Sequence, residues 1–135
     1  MAHMVSGTDG DIMPTILEIA GAKYPGTFRG QRIKPLEGQS LIPAVSGRGT
    51  MTGRPLFWEH MGNRAMRLGA LKLVADNNAP WELYDLEADR TELNDVSSRF
   101  AGTVAELETR YVEWSQRVGV KNFNELKSVR RDRAE

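Results

Sequence analysis

The stretch PLFWEHMGNRAMRLGALKLVADNNAPWELYD, residues 55–85, sets the architecture of the chain. Short segments rich in aromatic and branched residues are separated by turn residues every few positions, the pattern of an antiparallel meander. It predicts strands over 55–60, 64–68, 71–75 and 81–85. Gly62-Asn63, Gly69-Ala70 and Asn77-Asn78 join them, because these residues tolerate the positive φ of tight connections. Side chains alternate across a strand, so Leu71, Leu73 and Ala75 oppose Lys72 and Val74, and Trp81, Leu83 and Asp85 face away from Glu82 and Tyr84. Leu71 and Leu73 mark a buried face. For the strand carrying Phe57 and Trp58 the alternation leaves the buried face open.

Outward from this stretch, Val104, Leu107, Tyr111, Trp114 and Val118 recur every three or four residues and form one apolar stripe. They predict an amphipathic helix over 104–118, opened by a Thr103–Glu106 capping box, ended by Gly119 and laid on the sheet. Phe123 and Leu126 extend the packing surface, and residues 121–135 read as a tail, polar and frayed after 127. On the other side, Asp11 as N-cap, Pro14 in the first turn and the repeat Ile12, Ile16, Ile19, Ala20 predict a short helix over 11–20 that stops at Gly21. Residues 22–54 hold too many glycines and prolines for a continuous helix or central strand and read as a long irregular linker. Within it Ser40–Val45 is a candidate helical turn capped by Ser40, and Gly47–Gly53 a surface loop. Residues 1–10 read as a flexible leader, in which Met1-Ala2-His3-Met4 has the look of an expression-vector scar. His60 is then the histidine of interest.

The chain of 135 residues is long enough for one modest core, and 40% hydrophobic with 27% charged residues is an ordinary globular balance. Eighteen basic residues offset eighteen acidic ones, so no net field recruits nucleic acid or an anionic membrane. The cluster Arg130, Arg131 and Arg133 is interrupted by Asp132 and reads as a solvated tail. No cysteine is present, which excludes disulfides, thiolate metal sites and a cysteine nucleophile. No apolar run approaches the roughly 18 residues of a membrane span.

Trp58-Glu59-His60 with Asn63, Arg64 and Arg67 gathers an acid, an imidazole and two cations, a set suited to anion recognition or acid–base work. Cross-strand pairing of Glu with Arg is the competing, structural explanation. Asp85-Leu86-Glu87-Ala88-Asp89 begins like a calcium loop, but Arg90 stands where glycine is needed and Val96 where a bidentate glutamate belongs. Asp89, Glu92, Asn94 and Asp95 are therefore expected to shape the turn from the sheet toward the last helix. Nothing resembles a nucleophile elbow, and Ser46-Gly47-Arg48-Gly49 lacks the strand, lysine and helix of a phosphate loop.

Several patterns, in one order, resemble the end of arylsulfatases and related members of the sulfatase family, within the alkaline-phosphatase-like superfamily. Asp11-Ile12-Met13-Pro14-Thr15 with the helix to Gly21 is similar to the segment closing their large N-terminal domain. Gly38-Gln39-Ser40-Leu41 with Gly47 is similar to the linker between their two domains. Trp58 to Arg67 with Leu71-Lys72-Leu73-Val74 resembles the first strands of their smaller domain, and Trp81 to Leu86 with Asp89, Glu92, Asn94 and Asp95 resembles its last strand and exit turn. The resemblance implies an α+β fold, with a four-stranded antiparallel sheet against a C-terminal amphipathic helix, preceded by a short helix and a long irregular linker. It divides the chain into a leader (1–10), the end of the N-terminal domain (11–54), the C-terminal subdomain (55–120) and a tail (121–135).

The family's formylglycine, made from cysteine or serine in a Cys/Ser-x-Pro-x-Arg motif, and its divalent metal, usually calcium, belong to the larger domain. No catalytic residue, metal ligand or cofactor is carried onto this chain. The implied role is that of a C-terminal fragment of a sulfuric ester hydrolase, inactive alone, with the N-terminal catalytic domain as partner. His60, Asn63 and Arg64 are the candidates for bordering the substrate pocket. The alternative is a free-standing interaction or oligomerisation module, and the apolar stripe Ile12, Ile16, Ile19 makes a homo-oligomer an expected outcome.

Overall fold

A computed structural model of the chain describes residues 7–49, 51 and 53–132. The Met1–Met4 tetrapeptide lies outside them, as do Thr50 and Thr52 of the Gly47–Gly53 loop and the side chains of the basic tail. Two compact units divide between Arg54 and Pro55.

In the first unit a 3-10 turn at Asp9–Asp11 leads into α1, Ile12–Ala20. Gly21, in the left-handed region at φ 63°, ends α1, and the Ala22 amide closes back on the Leu17 carbonyl at 2.9 Å. The stop and the start directly after Asp11 are as expected, but the cap bond is not. Asp11 does not cap α1; its fully buried carboxylate accepts from the Thr8 amide and, far along the chain, from the Gln39 amide, both at 2.8 Å, and pairs with Arg54. Thr15 acts in the same knot, donating to the Asp11 carbonyl (2.6 Å) and accepting from the Leu41 amide (2.9 Å). Gly38 is required by this close approach, since a Cβ there would stand 2.0 Å from the Gly10 carbonyl oxygen.

The linker is less irregular than its composition implies. Thr27–Phe28 (β1) pairs with Gln31–Arg32 (β2) across Arg29-Gly30, both at positive φ. This is a primed two-residue hairpin with arginine where asparagine is customary, so the usual turn cue is missing. Ile42–Val45 forms one helical turn, α2, with the Ser40 hydroxyl accepting from the Ile42 amide.

The second unit is the expected meander: β3 (Leu56–His60), β4 (Asn63–Leu68), β5 (Leu71–Ala75) and β6 (Glu82–Asp85), antiparallel and in sequence order. The register lines up Phe57, Met66, Leu73 and Leu83 as one row across all four strands. Helix α3, Ala101–Val118, lays Leu107 and Tyr111 on that row, with Val104 and Trp114 beside them. Phe57 stacks on Trp114 at 5.0 Å, which settles the face left open by the sequence: Phe57 points to the helix and Trp58 away from it.

Two features of this unit differ from expectation. Helix α3 begins three residues early, after Phe100, so Thr103 lies inside the helix and Glu106 pairs with Arg110 one turn on (2.9 Å) instead of closing a capping box. Residues 123–132, assigned to the tail and read as frayed after 127, form helix α4 (Phe123–Asp132). Its start is held by Asn122, whose carboxamide oxygen accepts from the Asn124 amide at 2.9 Å. Asn122 with Glu125 three residues later is the N-terminal signature that points to this helix from sequence.

Candidate functional site

On the helix-facing side of the sheet the hydrophobic row gives way, one register step toward the β3–β4 turn, to a polar one. Glu59 pairs with Arg64, and Arg64 with Ala75. The Arg64 guanidinium lies over the Trp81 ring, 4.4 Å from its centroid, and donates to the Ala79 carbonyl at 3.0 Å. Glu59 accepts the Gly62 amide at 2.8 Å, holding the β3–β4 turn in which Met61 and Gly62 take positive φ. Gly62 cannot carry a side chain there, because a Cβ would meet the Asn77 carboxamide at 2.6 Å.

These residues form the floor of a groove of about 310 Å³ between the sheet, α3 and the start of α4. Trp81 meets Tyr111 edge to face at 5.3 Å. Asn124 ties the rim together by bonding the side chains of Asn77 and Asn78. Among the described residues the Trp81 indole nitrogen and the Tyr111 hydroxyl are buried without a hydrogen-bond partner. Burial pushes the Tyr111 hydroxyl pKa up, and the Glu59 carboxylate adds to it.

Of the three residues singled out from sequence, the structure places only Arg64 in this groove. His60 and Asn63 face each other across the hairpin, on the opposite side of the sheet from Arg64. His60 is exposed, and the Asn63 carboxamide accepts the Asn77 amide at 2.9 Å. Trp81, Tyr111, Asn77 and Asn124 were not legible as site residues, because the turns and packing that assemble them span the whole subdomain.

The acidic stretch after β6 is the side-chain-stabilised turn that its sequence implies. Asp89 accepts the Leu93 and Asn94 amides, both at 2.8 Å, and Asp95 accepts those of Leu83 (3.0 Å) and Ser97 (2.8 Å). The Asn94 amide above all holds Asp89 below the usual carboxylate pKa, and those of Leu83 and Ser97 do so for Asp95. Glu92 takes positive φ and pairs with Lys72 at 2.6 Å. Among the described residues no group of three acidic or histidine side chains is arranged to hold a metal.

No profile of a known protein family matches the chain. Individual relatives do. An uncharacterised sulfatase of Schizosaccharomyces pombe is 30% identical over 122 residues, 82% of this chain and 21% of its own length. Arylsulfatase K of Danio rerio is 30% identical over 111 residues, 73% of this chain and 20% of its own. Among solved structures, Ps i-CgsB in complex with k-i-k-neocarrahexaose shares the fold with a TM-score of 0.63 at 25% identity, over 79% of this chain and 24% of that one. The chain matches the C-terminal domain of a sulfatase. It spans about a fifth of the length of the curated relatives. The sulfatase domain is α+β, as the order of its motifs implies: a four-stranded antiparallel sheet, a short N-terminal helix and a C-terminal helix.

Proposed function

We propose that the chain serves as the C-terminal domain of a sulfuric ester hydrolase, structural in role and inactive alone. Its β3–β4 hairpin, with His60, Asn63 and Arg64, would border the substrate pocket formed with an N-terminal catalytic domain. The observation that carries this reading is the asymmetry of the match: most of this chain aligns, but only a fifth of each curated relative. The formylglycine and divalent metal of the family would reside in the remainder. The chain alone is expected to show no turnover of 4-nitrophenyl sulfate, whereas a single protein joining it to an upstream segment with a Cys/Ser-x-Pro-x-Arg motif should be active. Activity that copurifies with the chain alone and disappears on His60→Ala would overturn the proposal.

A second reading, a self-associating module, is favoured by α1. Its mean hydropathy is high, yet no residue of the helix is buried, and Ile12, Met13, Ile16 and Ile19 are all exposed. Burying a single Ile is worth roughly 1.5–3 kcal/mol, so an orphan stripe of this kind seeks a cover. In a whole sulfatase the catalytic domain would provide it; in the isolated chain a second copy would. Light scattering over a concentration series is expected to show a dimer that Ile16→Glu abolishes. A monomer for both proteins at high concentration would remove this reading.

A further inference from the structure

We propose that the β1–β2 hairpin docks on an anionic phospholipid surface, with its arginines on the headgroups and Phe28 in the interfacial layer. The eighteen cations and eighteen acids of the chain balance overall but not locally. Residues 19–36 hold Lys23, Arg29, Arg32 and Lys34 and no acid. Among the described residues Lys23, Arg29 and Arg32 make no ion pair, so their charge is open to an outside partner. Every residue from Ile19 to Arg32 is exposed, both strands of the hairpin included, so the ribbon is open on both faces. Phe28 is 60% exposed and Tyr24 41%. The Arg29 guanidinium lies 5.3 Å from the Phe28 ring centroid, which sets a cation against an apolar ring at the tip.

This chemistry selects the partner. A second copy carries the same excess of positive charge at its tip and is repelled there. Single-stranded nucleic acid is held in a groove that tracks its backbone and stacks its bases on open rings, whereas this ribbon is open on both faces and Arg29 already covers one side of Phe28. A flat anionic leaflet needs neither groove nor open ring. Aromatic rings settle at headgroup level, and each cation near the surface is worth about fivefold in affinity. The hairpin lies within residues 19–36, so the inference stands whether or not the sulfatase reading holds.

The test is cosedimentation of the full chain with sucrose-loaded vesicles, of phosphatidylcholine alone or in equal mixture with phosphatidylserine, at low salt. Binding is expected on the mixed vesicles only, and is expected to be lost as salt rises to about 0.5 M, where screening shortens the reach of exposed charges. Arg29→Asn with Arg32→Gln removes two charges while placing asparagine where the turn favours it, so the hairpin is kept and affinity should fall roughly 25-fold. Lysine at both positions should retain binding, and Phe28→Ala should weaken it several-fold. Binding equal on the two vesicle types, or absent from both, would overturn the proposal. So would undiminished binding in the double variant, or binding lost instead in Ile16→Glu, which would move the contact to α1. An oligothymidylate that displaces the chain from the mixed vesicles would make the partner a nucleic acid and overturn it equally.

Discussion

Leu73→Ala is expected to cost about 2–5 kcal/mol of stability by denaturant titration. Leu73 is fully buried at the centre of the cross-sheet row, between Met66 and Leu83, both also fully buried. Neighbours on both strands are fixed by ladder hydrogen bonds, so the cavity has little freedom to collapse and the loss adds to the transfer term. Trp114→Ala provides the comparison. Trp114 is large and stacks on Phe57, but it is only partly buried and its outer edge is already wet. Its loss should fall below that of Leu73. A Leu73→Ala protein within about 1 kcal/mol of the parent would place the core elsewhere.

The second large effect is expected from Asp11→Ala, at about 3–5 kcal/mol, read locally as loss of amide-exchange protection at Gln39 and Leu41. The substitution strips the partner from Arg54, which is mostly buried, and leaves the Thr8 and Gln39 amides without their acceptor. Burial alone would raise the Asp11 pKa; the Gln39 and Thr8 amides and the Arg54 guanidinium outweigh it and hold the carboxyl below its usual range. A folded pKa below the unfolded one means that the stabilisation is complete above about pH 4 and is lost as pH falls through the folded value. Asp89 and Asp95 are shifted in the same direction, so all three predict a chain stable from neutral pH down to about pH 5 and weakening steeply below pH 4. Asp11→Asn should lose the pH dependence of Gln39 and Leu41 protection while keeping part of the protection itself. Protection of these amides unchanged in Asp11→Ala would show that the knot does not hold the 38–41 segment.

The meander and the long helix were legible in the sequence because their signals are local. Alternation at Leu71, Leu73 and Ala75 and the three-to-four spacing from Val104 to Val118 each need only one segment to be read, and Gly21 and Gly119 stop their helices through their own freedom at positive φ. Helix α4 has a local signal too, Asn122 followed by Glu125, which the sequence reading missed beside the polar run after residue 127. The start of α3 was harder, because a helix packed on a sheet can begin at Phe100 without a side-chain cap.

The remaining features rest on contacts between residues far apart in the chain. Asp11 has the sequence of an N-cap, yet its carboxylate goes to Gln39 and Arg54, 28 and 43 residues away, because a buried charge takes the partners that best offset its desolvation. The sheet register, rather than adjacency, put Arg64 in the groove and His60 with Asn63 behind it, since neighbouring strand residues point to opposite faces. Trp81, Tyr111 and Asn124 joined Arg64 only after β6, α3 and α4 had returned to the same end of the sheet. Residue type and spacing along one segment therefore determined the elements and the family, while the pairing of distant segments determined which side chains meet.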